Sequence, residues 1–190
     1  MFKEKFDIVV VGGGHAGVEA ALISSFLGVS VALITMDEKA IARMSCNPAI
    51  GGLAKGQIVR EMDVLGGIMA ETADVSGLQF KILNKSKGRA VWSPRAQIDK
   101  RVYERNILKK VKRSLVSIIQ AEAMSINVKN YKVKNVLLRS GEKIKCSCLI
   151  ITSGTFLSGL IHIGERKILA GRMGEERSEG LTESLESFGF

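Results

Sequence analysis

The sequence predicts an α/β fold: a Rossmann-like open parallel sheet with crossover helices and an inserted antiparallel β-meander. Three observations carry that prediction. An apolar, β-branched run from Phe6 to Val11 leads without a gap into Gly12-x-Gly14-x-x-Gly17, and Val18-Glu19-Ala20-Ala21 then begins a helical pattern. A second β-branched run, Ser30 to Thr35, completes a βαβ unit, whose crossover should be right-handed. A further apolar run, Cys148 to Thr152, ends in the small-residue turn Ser153-Gly154-Thr155. Turns of that kind lie at the carboxyl edge of open parallel sheets, where ligands bind.

The first strand spans 6–11, and the first helix runs from 15 to 27, stopped by Gly28. In the turn between them Gly12 permits the reversal, Gly14 lets backbone approach a pyrophosphate, and Gly17 lets helix pack on strand. The helix N-terminus adds free N–H groups and the positive end of a dipole. This is a dinucleotide-binding signature, with Gly12, Gly13, Gly14, His15, Ala16 and Gly17 as its contacts. His15 lies inside the turn, which suits a backbone or ribose contact better than acid–base work. An acidic residue commonly closes the second strand of such a unit to hold a ribose. Here Thr35 stands in that place, with Asp37 and Glu38 just beyond.

Residues 38–44 read as a short helix, and Met44 to Gly52 as a loop in which Pro48 pushes Asn47 out of helical geometry. A helix is expected over 54–65, with Ile58, Met62 and Leu65 at helical spacing and Gly66-Gly67 as its stop. Phe80 to Leu83 reads as strand or irregular, and Asn84 to Arg89 as a basic loop. Ala96 to Arg113 reads as one amphipathic helix, with Ile98, Val102, Ile107, Leu108 and Val111 toward its inner side. Ser117 to Ile119 is a third parallel strand. Ile126–Val128, Val133–Arg139 and Glu142–Lys145 form the meander, about 124–146, before the separate last strand Cys148–Thr152. A charged loop around Gly171-Arg172-Met173-Gly174 precedes a helix starting near Leu181.

Composition narrows the class. The chain has 190 residues, 46% hydrophobic and 25% charged, which is the balance of a globular domain. Apolar runs are too short to span a membrane, no secretory signal opens the chain, and three cysteines, an odd number, fit a reducing compartment. Cytoplasm is the expectation. The net charge of +9 points to a polyanionic partner, and it is concentrated. From Lys81 to Arg113 there are twelve Lys or Arg against Asp99 and Glu104 alone. Such a run reads either as a solvated helix face or as contact with nucleic acid or phosphate.

The block Gly12 to Ala21 together with Ser45-Cys46-Asn47-Pro48-Ala49-Ile50-Gly51-Gly52-Leu53-Ala54-Lys55-Gly56 resembles the GidA (MnmG) family. Further matching segments are Glu61–Gly67, Gln79–Lys87, Arg95-Ala96-Gln97, Ser153–Leu157, Gly159, Ile161–Gly164 and Gly171-Arg172. The segment 114–147 is the least diagnostic. The resemblance implies the N-terminal part of an FAD-binding domain over 1–190, apparently truncated, with a nicotinamide-binding insertion and a C-terminal helical domain absent. It implies FAD as the cofactor, and tRNA and an MnmE-type GTPase as partners of an intact homodimer. The implied reaction installs an aminomethyl or carboxymethylaminomethyl group on carbon five of the wobble uridine, using methylene-tetrahydrofolate and NADH. An FAD- or RNA-binding module without turnover is the alternative for the isolated chain.

By that resemblance, Thr152, Ser153, Gly154 and Thr155 make a second dinucleotide contact, with Ala123 and Ser178 reaching the same cofactor. Cys46 is the catalytic candidate, because a thiolate adding beside carbon five of a uracil makes that carbon nucleophilic. It reads otherwise as a small thiol packed under the flavin. Asn47 and Arg95 shape the substrate side, and Lys85, Lys87 and Arg89 face tRNA phosphates or solvent. Trp92 is a candidate for stacking on a base. A flavin disulfide reductase would need a second cysteine separated from Cys46 by four residues, and Gly51 stands there. Cys146 and Cys148, two apart on a strand, read as core filling; no metal site is expected.

Overall fold

The computed structural model describes residues 5–44 and 47–190. In chain order its elements are β1 (Lys5–Val11), α1 (His15–Phe26), β2 (Val31–Thr35), β3 (Ala49–Gly51), α2 (Lys55–Val64), α3 (Met69–Ser76), β4 (Gly77–Leu83) and β5 (Ser93–Ile98). There follow α4 (Lys100–Arg113), β6 (Ser117–Gln120), β7 (Ala123–Lys129), β8 (Lys132–Leu138), β9 (Lys143–Ile151), β10 (Ile161–Ile163), β11 (Arg166–Ile168) and α5 (Leu181–Glu186). The chain divides into two units, one formed by 1–38 with 115–190 and the other by 39–114.

The first unit carries a six-stranded sheet in the order β6-β2-β1-β9-β8-β7. Strand β1 lies parallel to β2 on one side, with Ile8 opposite Val31, and parallel to β9 on the other, with Phe6 opposite Cys146. The predicted βαβ unit and third parallel strand are therefore present, since β6 pairs in parallel with β2. The strands β1 and β2 are nearly continuous apolar runs because both of their faces are covered; Val9, Val10, Ala32 and Leu33 are wholly buried. Each fully buried Val, Ile or Leu contributes roughly 1.5–3 kcal/mol relative to exposure. A core of Phe6, Val9, Ile34, Ile119, Val136, Leu138, Ile144 and Leu181 joins the parallel and antiparallel halves. Helix α5 is tied to that core through Ser184, whose hydroxyl accepts from the Ile126 N–H at 3.0 Å.

The meander is present, but its last strand is not separate from the final parallel strand. Strand β9 is continuous: Lys143 to Lys145 pair antiparallel with β8, and Lys145 to Ile151 pair parallel with β1. No turn residue stands between Lys145 and Cys148, so nothing interrupts the strand. Cys146 is buried, as expected, whereas Cys148 is exposed and fills no core. Burial, and then the neighbouring Cys148, push the Cys146 thiol up to about 11. Among the described residues no cluster of His, Cys, Asp or Glu could hold a metal ion, and no helix is long and apolar enough to cross a membrane.

The second unit packs α2, α3 and α4 with the antiparallel sheet β3-β5-β4. Three expectations need correction here. The helix expected at 38–44 is only a 3₁₀ turn, Glu38–Ala40. Ala42 adopts φ +54°, which no α-helix accommodates. The helix expected from Ala96 begins at Lys100. Ala96 and Ile98 belong instead to β5, and Asp99 caps α4 by accepting from the Val102 N–H at 3.0 Å. Tyr103, Ile107 and Val111 form its buried face, and Val102 and Leu108 are half-buried. Of the expected stripe Ile58, Met62 and Leu65, Met62 is half-buried, Ile58 is exposed and Leu65, just past the end of α2, is exposed; Gly56 and Val59 are the buried residues of α2.

Candidate functional site

The predicted dinucleotide residues gather at the carboxyl edge of the parallel sheet in the first unit. Gly12 has φ +108°, and a Cβ built there would stand 2.4 Å from the Thr152 carbonyl oxygen. A Cβ on Gly17 would stand 1.9 Å from the Gly12 carbonyl oxygen. These two glycines are therefore required by close backbone packing. Gly14 differs: it is exposed, and a Cβ there meets nothing within 4 Å. That open ground lies at the cap of α1, whose first N–H groups have no intrahelical acceptor. Gly13 lies within the turn, and His15 and Ala16 are the first residues of α1. The cradle accommodates a pyrophosphate, which needs bare backbone, N–H donors and a positive dipole end.

Thr152 braces the glycine turn. Its hydroxyl lies 2.9 Å from the Val11 carbonyl and 3.1 Å from the Gly12 carbonyl, and its N–H donates to Val11 at 2.8 Å. The side chain holds the glycine turn and leaves Ser153, exposed Gly154 and exposed Thr155 at the strand end. Thr35 is buried, with its hydroxyl donating to the Asp37 carbonyl at 3.2 Å. It closes β2 without offering a carboxylate.

Ala123 and Ser178 are both buried and are linked through Glu122, which sequence reading passed over. Burial alone raises the Glu122 carboxyl. The opposing bonds from Arg139, the Glu179 backbone and the Ser178 hydroxyl prevail and hold it below the usual carboxylate value. The Glu179 N–H donates to Glu122 Oε1 at 3.1 Å. The Ser178 N–H donates to the Phe156 carbonyl, and the Ser158 N–H to Ser178, both at 2.9 Å. One carboxylate thus pins the 178–179 loop beside the start of β7, while Ser178 pins it to the turn after β9.

In the second unit a cavity of about 720 Å³ opens among α2, α3, β4 and β5. Three of the segments singled out by sequence converge on it: Ile50, Gly51 and Gly56; Phe80, Lys81, Ile82 and Lys85; and Arg95 with Ala96. Gly51 is obligatory, since a Cβ there would stand 2.1 Å from the Pro94 carbonyl oxygen. Of the substrate-side candidates, Lys85 and Arg95 line this cavity; Asn47, Lys87 and Arg89 are exposed and do not. The Arg89 guanidinium sits 5.8 Å over the Trp92 ring, and Trp92 Nε1 donates to the Lys85 carbonyl at 3.3 Å. Cys46 lies outside the described residues. The sequence shows Phe80 and Lys81 but not their arrangement, because β5, whose register sets Phe80 opposite Ala96 and Lys81 opposite Arg95, does not stand out from the helix that follows it.

The family model described as glucose inhibited division protein A matches residues 7–190. A Thermodesulfovibrio yellowstonii protein named tRNA uridine 5-carboxymethylaminomethyl modification enzyme MnmG is 52% identical over 100% of this chain and 31% of its own length. A Protochlamydia amoebophila protein of the same name is 46% identical over 99% of this chain and 30% of its own. The form II crystal structure of Aquifex aeolicus GidA superposes with a TM-score of 0.93 at 47% identity, over 98% of this chain and 31% of that one. A GidA-related protein from Thermus thermophilus shares the fold at TM-score 0.64 and 19% identity. The chain spans about three tenths of the length of the curated relatives it matches.

Proposed function

This chain belongs to the glucose inhibited division protein A family, and from that premise we propose that it is the N-terminal portion of an FAD-dependent tRNA modification enzyme. In this reading the intact homodimer acts in the cytoplasm with an MnmE-type GTPase. It adds an aminomethyl or carboxymethylaminomethyl group at carbon five of the wobble uridine. Methylene-tetrahydrofolate supplies the one-carbon unit, ammonium or glycine the nitrogen, and NADH the reducing equivalents. FAD, when bound, supplies hydride chemistry that side chains lack.

The observation that carries this reading is the open ground over Gly14 between two glycines that cannot be replaced. The turn Gly12 to Gly17 and the first N–H groups of α1 hold the pyrophosphate. Ser153 to Thr155, with Ala123 and Ser178, bound the rest of the cofactor's seat, and Thr152 keeps the turn in shape. Asn47, Lys85, Lys87, Arg89 and Arg95 meet the RNA. The Cys46 thiolate forms a C–S bond at the ring carbon beside carbon five, breaking the C5=C6 double bond and leaving carbon five nucleophilic; once carbon five has taken the one-carbon unit, loss of its proton and of the thiolate restores the ring.

A segment exchange tests this. Residues 7–190 of this chain replace the matching segment of the Aquifex aeolicus relative, and nucleosides from its tRNA are analysed by mass spectrometry. The expected result is modified wobble uridine, lost when the exchange carries Cys46→Ser. A folded, flavin-containing exchange protein that leaves the uridine unmodified contradicts the reading, and a fully active Cys46→Ser exchange contradicts the role of Cys46.

A further inference from the structure

Strand register in the second unit creates an unfavourable pairing that needs a reason. Lys81 on β4 stands directly opposite Arg95 on β5, and Arg95 in turn stands opposite Gly51 on β3. Directly opposed cross-strand residues share one face of the sheet with Cβ atoms about 5 Å apart, and like charges there are destabilising. Lys55 adds to the same positive field. Burial, and then the Arg95 guanidinium, hold its ammonium below the usual lysine value, and its Nζ donates to the Ala49 carbonyl at 3.4 Å.

Among the described residues Lys55, Lys81, Lys85 and Arg95 have no carboxylate partner, whereas Glu71 and Glu104 pair with Lys110 and Lys100 of α4. Lys81 on β4, Arg95 on β5 and Lys85 just after β4 line the 720 Å³ cavity; its two carboxylates, Asp63 and Asp74, come from α2 and α3. Gly51, beside Arg95, adds no side chain to the row.

We propose that the Lys81–Arg95 cross-strand pair is a phosphate-binding site that holds an internucleotide phosphate of the substrate RNA, with Lys85 at the same cavity wall. The inference rests on the tRNA-modifying reading above and assigns that substrate a specific point of attachment. An exposed lysine on edge strand β4 and a half-buried arginine opposite it on central strand β5 bind a phosphodiester with charge-assisted hydrogen bonds that no neutral ligand would return.

The test measures binding of an anticodon stem–loop RNA with a uridine at the wobble position, by fluorescence anisotropy across a salt series, with FAD titrated in parallel. Lys81→Gln/Arg95→Gln should weaken RNA binding about tenfold and lower the salt slope by about 0.7 for each lost contact. Arg105→Gln/Lys109→Gln removes equal charge from the exposed side of α4, and should change affinity by about twofold at most. The charge-keeping Lys81→Arg should bind like the unaltered chain. Lys81→Gln alone, at an exposed edge position, carries the test if the double variant does not fold. The proposal is overturned if the α4 variant loses as much binding as the strand variant, or if the strand variant loses none. It is overturned too if RNA fails to bind while FAD binds normally, which leaves the flavin reading standing. Equal loss of FAD and RNA would assign the anion to the flavin and also overturn it.

Discussion

The Thr152 hydroxyl stands 2.9 Å from the Val11 carbonyl and 3.1 Å from that of Gly12, so that the end of one parallel strand holds the glycine turn at the end of its neighbour. The contact joins residues 140 positions apart, and it fixes the turn before any ligand arrives. Thr152→Val keeps the shape and removes the donor. It should cost about 1–2 kcal/mol in chemical denaturation and weaken FAD binding, with Thr152→Ser restoring most of both. Unchanged stability and affinity in Thr152→Val would show that the hydroxyl does not hold the turn.

The glycines of the fingerprint separate by what surrounds them. Gly17→Ala places a methyl 1.9 Å from a backbone oxygen and should destabilise the first unit by about 3 kcal/mol. Gly14→Ala meets open space, so melting should shift by less than about 0.5 kcal/mol of stability. If the turn holds the pyrophosphate as proposed, its FAD affinity should nevertheless fall at least tenfold, because the methyl would take the phosphate's ground. Thermal melts and flavin titrations on both variants distinguish a packing role from a binding role.

Glu122 predicts an acid dependence. Its folded carboxyl is held below the unfolded value by Arg139, the Glu179 backbone and Ser178, against the opposing effect of burial. The stabilisation is thus complete above the unfolded pKa and is lost as pH falls through the lower folded one. Glu122→Gln should reduce stability at neutral pH and flatten the acid limb of a denaturation series. A variant whose acid limb matches the unaltered chain would remove Glu122 as the organiser of the 178–179 loop.

The cysteines should separate by reactivity. Cys148 is exposed and should alkylate readily at mildly alkaline pH; Cys146, raised to about 11 by burial, should resist until the chain unfolds. The sign of the linkage follows: the folded state keeps the Cys146 proton that the unfolded state releases, so stability falls as pH rises from about 9 toward 11. Peptide mapping after timed iodoacetamide labelling checks the order. Equal labelling of the two sites in the folded chain would contradict it.

What could be read from the sequence was whatever local chemistry encodes. The turn from Phe6 to Gly17, the second strand and the helix at Leu181 have their own apolar period and glycine punctuation, and all three stand where expected. The second unit was harder because its signals conflict. Ala96-Gln97-Ile98 carries a pattern that continues into α4, and only the Asp99 cap separates strand from helix. Helix α3, eight residues long, has no side-chain cap to announce it. Without β5 the opposition of Lys81 to Arg95 had no register to appear in, so the charges were visible and their arrangement was not. Likewise β9 changes partner partway along without any residue that marks the change.

The central claim is that the Gly12 to Gly17 cradle holds FAD, and a visible absorbance titration of the purified, folded chain tests it most directly. Added FAD should acquire the shifted, structured bands and quenched fluorescence of a bound flavin, and Gly14→Ala should abolish them while leaving the fold intact. A folded chain in which FAD keeps its free spectrum, or in which Gly14→Ala binds it as well as the unaltered chain, would contradict the claim.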